Sequence, residues 1–546
     1  MKPFSKSRWT SGPAIVLYLA AVKLLVHLFT AGRYGIFRDE LYYLACAEHL
    51  DWGYVDQPPI IALIAWIARH IFGSSLHGLR LLPAIAGSTL VWMTGKLARE
   101  LGGGRFAQAL AAIATLVVPI FLVFHHLLTM NAFEPLIWMS AAWCVVRAIS
   151  PGSPAGQPGW RGNTANEKYW LWFGVIVGAG LETKYSVVFF AFGIVAGLLL
   201  TEHRRFLKSP WIWLGALAAL VIFLPNLLWL VNHDFPFLEL LRNIRESGRD
   251  VARSPIAFIA DQALIVNPIL FPLWVAGLLW LFFNRRGRRF RILGWAYVVM
   301  LGTFIVLKGK NYYLAPAYPI LFAAGAVAFE RLTARRQTAG ADGRSTSESV
   351  HLASGPVSCS WCRWVYVAAI VLAGAAFAPL SLPILSPETY IRYQNALGFE
   401  PPKSEHQNTG PLPQHFADEF GWEEMTREVA KVYNGLPPDE RAETAIFANS
   451  YGQAGAIDFF GAKYELPKAI SNHQNYWYWG PRNYSGAIVI VLGSDGEGDR
   501  DHFKTVQSVG RTYHPYSRRD EHFEIFLCRG LNQDLHTLWP SIKQWD

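Results

Sequence analysis

Residues 14–43 read AIVLYLAAVKLLVHLFTAGRYGIFRDELYY, and this stretch decides the fold. Its first part, residues 14–30, is apolar and nearly as long as the roughly 20 residues that a membrane-spanning helix needs. Two adjacent carboxylates, Asp39 and Glu40, follow this run and precede a pair of tyrosines. Ionisable groups beside hydrocarbon are energetically costly, so they are candidates for function. The stretch therefore predicts chemistry at the surface of a bilayer.

The composition extends the membrane prediction to the N-terminal two-thirds of the chain. Of 546 residues, 52% are hydrophobic and 16% are charged, whereas a soluble protein carries roughly a quarter charged residues. The 22 Trp and 22 Tyr suit anchoring at a membrane–water interface. No small-residue cleavage site precedes Arg33, so the first apolar segment is predicted to be a retained helix rather than a signal peptide.

Eleven apolar runs are predicted to span the membrane, near residues 14–31, 79–98, 106–125, 132–149, 169–182, 186–200, 210–231, 263–284, 291–307, 311–330 and 364–382. Basic residues cluster in alternate connections, which the positive-inside rule places in the cytoplasm together with the N-terminus. These loops also hold the basic residues behind the net charge of +9, so nucleic acid is not expected as a partner. Residues 58–72 are too few for a crossing and are predicted to form an interfacial or re-entrant helix.

The composition changes after Leu382, which divides the chain into a predicted membrane domain, residues 1–382, and a C-terminal domain, residues 383–546. The second is predicted to be α/β and is large enough for a core of its own. Its strands are predicted at residues 444–448, 487–492 and 522–528, and its helices at residues 421–433 and 453–460. An odd number of spans puts this domain and the Asp39–Glu40 loop outside the cytoplasm.

Polar residues recur in the loops of the predicted outer face. The candidates are Asp39, Glu40, Asp56, Asn131, Glu134, Lys184, Tyr185, Arg242, Lys308, Lys310, Tyr312 and Tyr313. A carboxylate at a water–lipid boundary can act as general base towards a hydroxyl or an amine. Lysine and arginine can hold a phosphate and stabilise its charge as it leaves. The combination suits transfer of a group from a lipid-linked phosphate.

Five segments in this order and spacing resemble the GT-C membrane glycosyltransferases, in particular bacterial members of the protein O-mannosyltransferase superfamily and the aminoarabinose transferases of lipid A. They are FRDELYY at 37–43, GYVDQPP at 53–59, LTMNAFEPL at 128–136, TKY at 183–185 and KGKNYYLAPAYP at 308–319. YGQAGAIDFF at 451–460 also resembles members of this group. The resemblance covers the membrane region to about residue 330 and implies a GT-C fold.

The resemblance implies that Asp39 is the catalytic base, that Glu40 supports it, and that the donor is a sugar on a polyprenyl phosphate such as undecaprenyl phosphate. We expect the donor phosphate to be held by Lys184, Lys308, Lys310 and Arg242. Tyr312 and Tyr313 are expected to line the lipid or sugar site. The remaining candidates, Asp56, Asn131, Glu134 and Tyr185, are expected to contact substrate. The implied location is the bacterial inner membrane, with the C-terminal domain in the periplasm.

Two departures from the family pattern leave the sugar, the acceptor and any divalent metal open. Gln57 stands where the aminoarabinose transferases carry a lysine. Many relatives carry an acid near Asn131; here the acid is Glu134, one helical turn away, and it need not reach the same point. The acceptor can be a lipid, a protein or a glycan. A transporter is the second class, although no half-repeat is visible. A non-catalytic lipid-binding protein and a hydrolase with water as acceptor also stay open.

Overall fold

The protein is described by a computed structural model for residues 9–150, 164–249, 251, 253–333, 360–398, 406 and 408–546. Most of these residues form a bundle of apolar helices, and a smaller α/β unit follows in sequence. The helices of the first part are α1 (Gly12–Thr30), α2 (Arg38–Glu48), α3 (Ile60–Phe72), α4 (Leu76–Glu100), α5 (Arg105–Leu116), α6 (Pro119–His126), α7 (Met130–Ile149), α8 (Tyr169–Leu181), α9 (Val187–Leu199), α10 (Pro210–Asn232), α11 (Pro236–Ser247), α12 (Pro255–Val266), α13 (Phe271–Phe283), α14 (Arg291–Val306), α15 (Tyr318–Thr333) and α16 (Ser360–Ser381). Helix α17 (Pro387–Leu397) follows the predicted boundary at Leu382.

Within the described residues, 7 helices are long and apolar enough to cross a membrane, or up to 10 spans if each of 3 bent helix pairs counts as one. The predicted run 169–182 is the shorter apolar helix α8. The predicted run 106–125 bends by 63° between α5 and α6, and the run 263–284 lies across a 101° bend between α12 and α13. Pro119 and Pro268 begin the segments that follow these bends. Proline lacks the backbone N–H that would continue the preceding helix, so the helix ends there.

The predicted surface helix is α3, residues 60–72. Its buried residues include the small residues Ala62, Ala65 and Ala68, which let it pack closely on the bundle. Leu63, Trp66, Ile71 and Phe72 are exposed on its other side. An apolar exposed face on a helix of 13 residues fits the predicted interfacial position.

In the second part, the two predicted helices are present as α18 (Trp422–Asn434) and α19 (Tyr451–Phe460). Its strands are β1 (Thr444–Ala448), β2 (Ile488–Leu492), β3 (Phe503–Arg511) and β4 (Glu524–Leu531), in the sheet order β1-β2-β4-β3. β1 and β2 are parallel, and β4 is antiparallel to both β2 and β3. Its short helices lie at Gln414–Ala417, Pro438–Glu443, Asn475–Trp479, Glu497–His502 and Leu535–Leu538, and one further short helix, Thr164–Glu167, precedes α8 in the bundle region. Strand β3 is absent from the sequence prediction because it lies at the sheet edge and most of its residues are polar or exposed.

The two parts share one hydrophobic cluster. It joins Leu41 and Tyr42 of α2 and Leu128 to Trp422 and Ile457 of the α/β part. Burial of apolar surface is the dominant favourable contribution to folding. The helix that carries Asp39 and Glu40 is therefore held from both sides, by the bundle and by the α/β part.

Candidate active site

A cavity of about 970 Å³ lies between the helical bundle and the α/β part. It brings together candidates from five separate segments of the chain. Those in its wall are Asp39, Asp56, Asn131, Lys184, Tyr185, Lys310, Tyr312 and Tyr313. A concave site with a few converging polar groups is the usual form of a binding or active site.

Asp39 occupies the first turn of α2 and faces the cavity. The positive end of the helix dipole favours a carboxylate at this position. Its Oδ1 accepts a hydrogen bond from the Tyr451 hydroxyl at 2.9 Å and lies 3.6 Å from Arg38 Nε. The side chain is 29% exposed. Asp39 is therefore fixed at one oxygen and still accessible to a molecule in the cavity.

Glu40, the neighbouring acid, is fully buried and lies outside the cavity wall. Its two oxygens accept bonds from Arg80 Nε at 3.0 Å and Arg80 Nη2 at 2.9 Å. They also accept the backbone N–H groups of Phe37 at 2.9 Å and Leu128 at 2.8 Å. Glu40 thus ties the start of α2 to α4 and to the loop before α7. This geometry suits support of Asp39 and gives Glu40 no direct contact with a substrate in the cavity.

The same arginine reaches the α/β part. Arg80 Nη2 donates to Glu419 Oε2 at 3.1 Å, and all three side chains of this cluster are buried. Burial and the nearby Glu40 carboxylate raise the pKa of Glu419 to about 8, against the favourable charge of Arg80. Neither Arg80 nor Glu419 is among the site residues predicted from the sequence. The available signal was Arg80 itself, an ionisable residue inside a predicted span.

Lys184 is held by two residues of α7. Its Nζ donates to Asn131 Oδ1 at 2.6 Å and to Glu134 Oε2 at 2.8 Å. Glu134 Oε1 also accepts a hydrogen bond from the Ser186 hydroxyl. Glu134 is 1% exposed and lies outside the cavity wall, so the expected substrate contact is replaced by a contact that positions Lys184. The ammonium lies 5.2 Å from the ring centre of Tyr313, which leaves it next to an aromatic face.

Asp56 lines the cavity beside the first-loop tyrosines. The Tyr42 hydroxyl donates to Asp56 Oδ1 at 3.0 Å. Burial raises the pKa of Asp56 to about 7, although the bond from Tyr42 works in the opposite direction. The cavity therefore contains a carboxyl group that changes its charge near neutral pH.

Two predicted phosphate contacts, Lys308 and Arg242, are exposed and lie outside the cavity wall. Lys308 follows the end of α14 and has a left-handed backbone with φ 53°. In α11 the cavity-facing positions include Leu241 and Arg245, four residues apart. Residues at this spacing share one helix face, and Arg242 is turned away from it. The cavity cations are Arg38, Lys184, Arg245, Arg249 and Lys310.

The rest of the cavity wall is largely apolar. It is formed by Ile120, Val123, Phe124, Val188, Phe189, Leu264, Ile265, Phe304, Leu307, Phe377 and Leu380. An apolar wall that continues into a group of cations and carboxylates can accommodate an amphiphile with an anionic head group. Within the described ranges, no group of three or more His, Cys, Asp or Glu side chains could hold a metal ion.

Parts of the sequence are similar to known glycosyltransferases. A family model described as dolichyl-phosphate-mannose-protein mannosyltransferase matches residues 56–229. The lipid A galacturonosyltransferase RgtD of Rhizobium johnstonii is 28% identical over 314 residues, which are 55% of this chain and 61% of that protein. The alignment thus spans less than two thirds of that relative's length.

Solved structures share the fold over nearly the whole chain. The structure of ArnT from Cupriavidus metallidurans bound to undecaprenyl phosphate has a TM-score of 0.58 at 14% identity, covering 94% of this chain and 97% of ArnT. The apo structure of ArnT gives a TM-score of 0.56 at 16% identity with the same coverage. This likeness shows that the chain has the same fold as ArnT.

Proposed function

We propose that the protein transfers a sugar from a polyprenyl phosphate donor to an acceptor at the outer face of the inner membrane of a bacterium. The observation that carries this proposal is the single cavity in which Asp39 and the cations stand at one end of an apolar wall. The apolar wall suits the prenyl chain, and the cations suit its phosphate. The names of the relatives agree, since ArnT binds undecaprenyl phosphate and RgtD is a lipid A galacturonosyltransferase.

Asp39 acts as the general base in this proposal. It takes the proton from an acceptor hydroxyl or amine, and the acceptor atom then forms a bond to the anomeric carbon of the sugar. The bond between that carbon and the phosphate oxygen breaks, and the lipid phosphate leaves with the electron pair. Lys184, Arg245 and Lys310 stabilise the charge on this leaving group.

Residues around the cavity have supporting roles in this proposal. Glu40 and Arg80 fix the first turn of α2, and Glu134 orients Lys184. Tyr312 and Tyr313 contact the donor near its phosphate, because both rings lie within 6 Å of Lys184 Nζ. The α/β part, residues 383–546 by the predicted boundary, lies in the periplasm in this proposal and covers the charged end of the cavity.

Donor consumption tests the proposal. Purified protein in lipid is offered a panel of undecaprenyl phosphate sugars with envelope lipids, proteins and glycans as acceptors. We expect loss of one donor and appearance of its sugar on an acceptor with the wild type but not with Asp39→Asn. Asp234→Asn is the matched control, since Asp234 is exposed and lies outside the cavity wall.

Three outcomes would contradict parts of the proposal. Full activity of Asp39→Asn would show that Asp39 is not the general base. Release of free sugar without a labelled acceptor would make the protein a hydrolase. No turnover of any donor by well-folded wild type would favour a transporter or a lipid-binding protein.

A further inference from the structure

Helix α19 of the α/β part packs directly on helix α2. A Cβ at Gly452 would lie 2.5 Å from Arg38 Cγ, and a Cβ at Gly455 would lie 3.0 Å from the backbone of Leu41. Residues three apart share a helix face, so the two glycines form one smooth contact surface. This surface brings the first residue of α19, Tyr451, to the first turn of α2.

Tyr451 is consequently in the cavity wall and in contact with Asp39. Its hydroxyl donates to Asp39 Oδ1 at 2.9 Å. Its ring lies 4.7 Å from the ring of Tyr42 and 5.1 Å from the guanidinium carbon of Arg38. Burial raises the pKa of Tyr451 well above its usual range, so the phenol keeps its proton and can donate it to a hydrogen bond.

Two further residues of the α/β part, His473 and Asp546, fix the position of Tyr451. The ring of His473 stacks on the Tyr451 ring at 5.0 Å, and His473 Nδ1 accepts the backbone N–H of Tyr451 at 3.2 Å. The other nitrogen, His473 Nε2, lies 3.1 Å from Asp546 Oδ1. The ring and the backbone of Tyr451 are thus both held by His473.

We infer that Tyr451 is a positioning residue for the carboxylate of Asp39, which makes the α/β part a component of the catalytic centre. The inference rests on the proposed function. An O–H group that donates to Oδ1 stabilises the ionised carboxylate and fixes its plane. Oδ2 is then the oxygen that takes the proton from the acceptor. The hydrogen bond thus sets the direction in which the carboxylate faces the acceptor.

The variant Tyr451→Phe removes only the hydroxyl and keeps the ring contacts. We expect kcat to fall about 10- to 100-fold, the range that a hydrogen bond to a charged group covers, with little change in the KM for the donor. The acidic limb of the pH–rate profile should move to higher pH, because the carboxylate loses a hydrogen-bond donor. Loss of packing alone would lower activity without moving this limb.

Tyr464→Phe is the matched control. The Tyr464 hydroxyl donates to Glu423 Oε1 at 3.0 Å, so this variant also removes a tyrosine–carboxylate bond from the α/β part, away from the cavity. We expect its pH–rate profile to superpose on that of the wild type. A Tyr451→Phe profile that also superposes on the wild type would overturn the inference and leave the proposed function intact.

A double-mutant cycle tests the contact without turnover. The unfolding free energies of wild type, Tyr451→Phe, Asp39→Asn and the double variant are compared in one detergent. Contacting residues give non-additive changes, so we expect the double variant to differ from the sum of the single variants. Additive changes would overturn the inference even if no donor is found and the proposed function fails.

Discussion

Replacing Arg80 by methionine should destabilise the protein by about 3–5 kcal/mol. Arg80 donates to both oxygens of Glu40, at 3.0 and 2.9 Å, and to Glu419 at 3.1 Å. It also donates to the carbonyl oxygens of Ala31 at 3.1 Å and Gly35 at 2.9 Å. Arg80 is 1% exposed and Glu40 is fully buried, so water cannot replace the lost partner.

The magnitude follows from comparing this cluster with an exposed ion pair. Removing one partner of a buried pair leaves an uncompensated charge, which costs about 3–5 kcal/mol. Arg69 and Glu48 form a pair of shorter length, 2.7 Å, but their side chains are 34% and 31% exposed. Such pairs contribute about 0–1 kcal/mol. Arg69→Met is therefore the matched control, and it should cost several-fold less than Arg80→Met.

The assay is unfolding of both variants in one detergent, followed by tryptophan fluorescence during a denaturing-detergent titration. Arg80→Met should also lose transferase activity, because Glu40 would lose the partner that fixes the start of α2. The triple variant Arg80→Met, Glu40→Gln, Glu419→Gln should recover part of the stability, since it leaves no unpaired charge. Equal destabilisation by Arg80→Met and Arg69→Met would refute the reasoning.

Three further predictions concern the titratable and charged residues of the site. The pKa of Glu419 is raised from its usual 4.5 to about 8, so the folded state keeps a proton that the unfolded state releases, and stability should fall as pH rises from about 4.5 to about 8. In the variant Glu419→Gln, the free energy of unfolding should no longer fall over this pH range. An unchanged fall would mean that other titratable groups cause it. Binding of undecaprenyl phosphate should weaken above about pH 7, where Asp56 becomes negative, and titrations with Asp56→Asn should not show this weakening. Lys184→Met should raise the KM for the donor about tenfold or more, and Lys184→Arg should raise it less; unaltered donor kinetics in both would exclude a phosphate contact.

The bundle was predictable because a bilayer demands long apolar runs. The bends were harder to predict, although their cause is local. The hydropathy of residues 106–125 continues through Pro119, so a hydropathy criterion reports one run where the backbone turns by 63°. Strand β3 was missed for the opposite reason, since an exposed edge strand lacks the apolar pattern that marks a buried one.

The site was predictable as a set of loops but not as a set of contacts. Asp39, Lys184 and Lys310 were found because charged residues near apolar runs are few and stand out. The choice of Arg242 over Arg245 depends on the rotation of α11, which its sequence does not determine. Arg80 and Glu419 lie 339 positions apart, and a pairing at that separation depends on the complete tertiary fold.

The two first-loop acids connect the helical bundle to the α/β part. Asp39 is bonded to Tyr451 of the α/β part, while Glu40 is bonded through Arg80 to Glu419 of the same part and to the bundle. The two adjacent acids of α2 therefore have different environments: Asp39 faces the cavity and is accessible, whereas Glu40 is buried in an ion pair. If the α/β part were removed, Asp39 would lose its hydrogen-bond donor and Glu419 would no longer share Arg80. The general base proposed here is thus a property of the interface between the two parts rather than of the membrane helices alone.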